Sequence, residues 1–181
     1  MKFPKVARPQ IRPPVFVALQ NGSAILLFGA LLAAEMVRRM LYLNPESETL
    51  WRLAALANRT VMPVLNAMDD VLPDPDRLMM ALLAGILVPL LAWLTRYWFA
   101  TAVAGHVTLA ALIVMTYWAF RRGNLALVAA DIPGALIAMR PEAMSYVFLL
   151  ASVLLLVMCI ADHIAFLRFF VSLFRRKPKP A

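Results

Sequence analysis

Two sets of side chains in this sequence could do chemistry. The first is Glu35, Arg38 and Arg39. On a helix, Glu35 lies three and four residues before the arginines, so all three can meet on one face. A trio of this kind neutralises itself, which suits a helix end better than a proton or ligand site. The second set is scattered along the chain: Gln20, Asn21, Arg96, His106, Asp162 and His163. An Asp162–Arg96 ion pair would neutralise two charges at the edge of an apolar region.

Two histidines raise the possibility of axial ligands to a b-type haem. Against it, His163 follows Asp162 directly, and successive residues of a helix point about 100° apart. With Asp162 turned inward, His163 is only partly inward. Two histidines and one aspartate are also a sparse set for a metal ion. No cofactor or metal is expected, and no catalytic residue is assigned. Ser145 and Ser152 have no basic partner at their depth, and Cys159 reads as a small packing residue. No P-loop, GxSxG, HExxH or GxGxxG occurs. A single cysteine excludes an internal disulfide, a CxxC pair and a four-cysteine zinc site.

The elements that would position these residues are set by composition. The 181 residues are 63% hydrophobic and 15% charged, with ten acids against eighteen Lys and Arg. Soluble chains are nearer 45–50% apolar and about 25% charged, so the expected class is a polytopic all-α membrane protein. From Leu78 to Phe120 the only formal charge is Arg96. As one helix this stretch would be roughly 65 Å long, about twice the hydrocarbon thickness. An arginine at a bilayer centre costs at least about 2.5–3.5 kcal/mol, so the chain should turn near Arg96. The result is a transmembrane hairpin with spans near 78–94 and 103–120.

A first span is expected at 15–37 and a last at 142–164. The first is longer than a signal-peptide core and lacks an A-x-A cleavage site. The whole is a four-helix transmembrane bundle with short amphipathic interfacial helices. Ala18 with Gly22, and Gly29 with Ala33, are small-xxx-small pairs on roughly one face of the first span. Gly85 in the second span, and Ser145, Ser152 and Cys159 at heptad spacing in the last, supply further small-residue seams.

The connection 44–77 carries two amphipathic patterns, capped by Ser47 and Thr60. They fit helices lying along the membrane surface or docking on a partner. Segment 124–140 is apolar but interrupted by Asp131, Pro133 and Gly134, which suits an interfacial or re-entrant helix. The tails, 1–14 and 175–181, are short and basic.

Four spans put both tails and Arg96 on one side. That side holds ten Lys and Arg against Asp162, whereas the other has eight arginines against nine acids. Every lysine is on the tail side, which places both tails in the cytoplasm. The basic excess is then explained by contact with anionic lipid, not by nucleic-acid binding. These features predict an accessory or scaffold subunit of a larger inner-membrane complex, with a membrane-protein partner or a second copy of itself. The alternatives are a small transporter subunit, or a lipid-processing enzyme with His106 or His163 as base.

Overall fold

The structure is a computed structural model and describes residues 11–57, 60–122 and 143–174. Six helices are found among them: α1 (Pro14–Leu43), α2 (Glu48–Ala55), α3 (Val61–Val71), α4 (Pro75–Thr95), α5 (Trp98–Arg121) and α6 (Ala143–Phe174). The only β pairing among the described residues is an isolated bridge. Four helices, α1, α4, α5 and α6, are long and apolar enough to cross a membrane. Among the described residues this architecture is all-helical and compatible with a multi-pass membrane protein. Segment 124–140 and the sequence outside 11–174 lie outside the described residues.

The first helix is the hub, because α1 packs against every other helix among the described residues. Of an apolar stretch of 18 residues in α1, 44% are buried, against 22% for α4 and 28% for α5. The buried stripe runs through Val17, Gln20, Ala24, Leu27, Leu31 and Ala34. Steps of three and four keep these residues on one side of a helix. On α6 the matching stripe is Phe148, Ala151, Leu155 and Cys159, in the same core cluster.

The hairpin turn is tighter than the sequence predicts. α4 ends at Thr95 and α5 starts at Trp98, so only Arg96 and Tyr97 connect them. Arg96 closes α4 in the left-handed conformation, φ 55°, and its N–H donates to Ala92 O. That conformation costs an L residue roughly 1–2 kcal/mol. Backbone from the N-terminal segment braces it: Ile11 bridges Tyr97, and the Arg12 N–H donates to Arg96 O at 3.1 Å. The other end of α4 is set by Asp74, whose carboxylate accepts from Asp76 N at 3.0 Å, with Pro75 in the first turn. A proline there forfeits only an N–H that has no helical partner.

α2 and α3 diverge from one another. Ser47 caps α2 by accepting from Leu50 N, and α2 has no buried residue. α3 is buried through Val61, Val64, Leu65 and Met68, unlike a helix lying along the surface. Val64 and Met68 line a cavity of about 50 Å³ with Leu27, Leu31, Thr108 and Leu112, residues midway along α1 and α5. α3 therefore stands as a wedge between α1 and α5. Thr60 precedes it without a capping hydrogen bond, because its own backbone is already helical, φ −116° and ψ −45°. An N-cap side chain reaches the first-turn amides from extended backbone.

Candidate functional site

The end of the molecule that carries the hairpin turn, here the terminal end, gathers the strongest polar side chains. α1 contributes Gln20, completely buried, and α6 contributes Asp162, 3% exposed. Gln20 lies against α5 at Gly105, where a Cβ would come within 2.3 Å of its Nε2. The absent side chain of Gly105 is what lets α1 and α5 close over the amide. Gln20 Nε2 donates to Asp162 Oδ2 at 2.9 Å and approaches Cys159 Sγ at 3.9 Å. Its Oε1 accepts from Arg12 Nη1, and Arg12 Nη2 is paired with Asp162 Oδ1.

The cation that meets Asp162 is thus Arg12, not Arg96. Arg96 is exposed at the turn, and its backbone holds the segment that delivers Arg12. Of the two side chains in the pair, Arg12 is 10% exposed and Asp162 4%. Burial pushes the Arg12 pKa down, but a guanidinium starts so high that it remains charged at neutral pH. Asn21, the neighbour of Gln20, is fully buried, and neither atom of its amide has a hydrogen-bond partner.

His106 and His163 do come together. His106 Nε2 lies 3.3 Å from His163 Nδ1, with ring centroids 4.8 Å apart. Each Nδ1 also reaches the carbonyl one turn back on its own helix, Ala102 O at 2.7 Å and Cys159 O at 2.8 Å. With Nδ1–H donating in both rings, the Nε2 of each keeps its lone pair. The rings are in direct contact, so a porphyrin does not fit between them as this arrangement stands. No group of three His, Cys, Asp or Glu able to hold a metal occurs among the described residues.

The opposite end is knitted by a second ionic cluster. Glu35, 1% exposed, accepts from Arg39 Nε at 2.7 Å and pairs with Arg38 Nη2 at 2.5 Å. Arg38 also donates to Asp69 Oδ1 at 3.0 Å, and Arg122 is paired with Asp70. Two acids of α3 thereby clasp α1 and the end of α5. Sequence periodicity puts Asp69 and Asp70 on the polar face of α3 but does not identify their partners.

The small residues separate into covered and uncovered positions. A Cβ at Gly85 would strike the Phe28 ring at 2.2 Å, whereas one at Gly22 would make an ordinary 3.6 Å contact with Trp93. Gly29 has nothing within 4 Å. Ala18 and Ala33 are half-buried on α1. On α6, Ser145 and Cys159 are buried and Ser152 half-buried, donating to Phe148 O.

No family model, curated protein or solved structure matches this chain.

Proposed function

We propose that this chain is an accessory or scaffold subunit of a larger membrane assembly, holding a partner's transmembrane helix along α1. The observation that carries this reading is the outward stripe of α1: Leu26, Gly29, Ala33, Met36 and Met40. Its steps alternate three and four, the spacing of a helix-packing seam. Leu26, Met36 and Met40 are about half exposed, and Gly29 between them meets nothing. In lipid, helices associate by close packing around small residues, not by escape from water. A gap at glycine flanked by leucine and methionine fits a second helix. The ion pairs agree, since the two carboxylates buried among the described residues, Glu35 and Asp162, are met by arginines of the same chain. Both tails are proposed to be cytoplasmic, in an inner membrane of bacterial type.

Gly29→Leu tests this directly. It fills space that the chain itself leaves empty, so the fold should persist. Gentle extraction of tagged wild type should yield a partner, or a second copy, in fixed ratio, and Gly29→Leu should lose it. A wild-type monomer, or a partner unaffected by Gly29→Leu, would overturn the proposal.

A small transporter subunit is the second reading, and Asn21 is the observation that favours it. A buried amide with neither atom paired suits a polar ligand. Asn21→Leu should then abolish transport by the assembly while membrane expression is retained; unchanged transport would exclude this reading.

A further inference from the structure

A groove of about 270 Å³ opens at the terminal end between the N-terminal segment, the start of α5 and α6. Its walls are Ile11, Pro13, Phe16, Trp98, Ala161 and Ala165, and the Arg12–Asp162 pair lies against them. It is small beside the roughly 300–1,000 Å³ of ligand pockets, and its walls suit part of a hydrocarbon chain. We propose that it binds one anionic phospholipid, an acyl segment lying along the groove and the phosphate beside Arg168.

Charge selects this occupant. Asp162 is matched by Arg12 and almost fully covered, so it presents little negative charge to the groove. Arg168 follows Ala165 by three residues on α6 and is exposed. Three residues bring a helix to within about 60° of the same direction, so the guanidinium stands one turn beyond the groove wall. Arg96 is exposed two residues before Trp98. In the sequence, residues 1–14, Arg96 and residues 162–181 hold ten Lys and Arg against one acid, Asp162. An acyl chain gains little by moving from bilayer to groove, since both are apolar. Retention must then come from fit along the walls, and discrimination between lipids from the headgroup. Trp98 adds an indole, the ring that favours the headgroup level of a bilayer.

The site is separate from the stripe around Gly29, so its test does not depend on a protein partner. Native mass spectrometry of the full chain in mild detergent would be run with phosphatidylglycerol and phosphatidylcholine at equal mole fraction. Wild type should retain one phosphatidylglycerol with about tenfold preference, the order of selectivity that one or two arginines supply near an anionic lipid. Arg168→Gln should cut that preference about fivefold while still retaining lipid. Ala165→Phe should lose both lipids, since it fills the groove and leaves Arg12 and Asp162 unchanged. Equal retention of the two lipids by wild type would overturn the proposal. So would unaltered phosphatidylglycerol retention in Ala165→Phe, or an undiminished preference in Arg168→Gln.

Discussion

Asp162 is a demanding residue, a carboxylate 3% exposed within the apolar helix α6. Removing one partner of a buried ion pair typically costs about 3–5 kcal/mol, because an uncompensated charge remains. Arg12→Met should therefore lower stability in detergent by that order, as read from chemical or thermal unfolding. Adding Asp162→Leu should recover most of the loss, since apolar replacements of both partners are often neutral or better. Arg96→Gln should shift stability by no more than about 0.5 kcal/mol, as for other exposed substitutions. A large loss at Arg96 and none at Arg12 would show that the pairing is wrong. Sequence alone places the acid and the need for a cation. It does not single out Arg12, because a basic, proline-rich N-terminus reads as a solvated tail until the Ile11–Tyr97 bridge is known.

Glycines show what an element's environment adds to its sequence. Gly29, Gly85 and Gly105 all lie in apolar helices, and the first two read as packing residues. At Gly85 an added methyl meets the Phe28 ring, and at Gly105 it meets Gln20. Gly85→Ala should cost about 1–3 kcal/mol, the usual penalty of overpacking. Gly105→Ala should cost a similar amount by driving Gln20 away from Asp162. Gly29→Ala, with open space around it, should gain up to about 1 kcal/mol from the lower backbone entropy of alanine in a helix. Unfolding of the three variants side by side checks the ordering, and equal effects would refute this packing. The same contrast holds for α3. Its apolar periodicity predicts an amphipathic helix, but burial of Val64 and Met68 against α1 and α5 is a tertiary fact.

At the scale of the whole molecule, the four candidate spans among the described residues make the proposed membrane orientation testable. In a Cys159→Ala background, Glu48→Cys on α2 should react with an impermeant thiol reagent in intact cells. Lys179→Cys should react only after permeabilisation. Labelling of both from one face would sink the orientation. α1 and α5 touch at Gln20 and Gly105, and farther along both line a cavity against α3. Met68→Ala, in the wall of that cavity, should lose about 2–5 kcal/mol of stability, as truncations of buried methionine do.

Amino-acid order by itself determined the class of this protein and the position of its apolar helices, because those depend on runs of residue type that need no partner. It also determined the net charge of +8, since charge is additive along a chain. The hub role of α1, the insertion of α3, the Arg12–Gln20–Asp162 network and the empty space at Gly29 were decided only by tertiary structure. Each depends on which faces meet, and helices that are apolar nearly all round give little indication of which side will be covered.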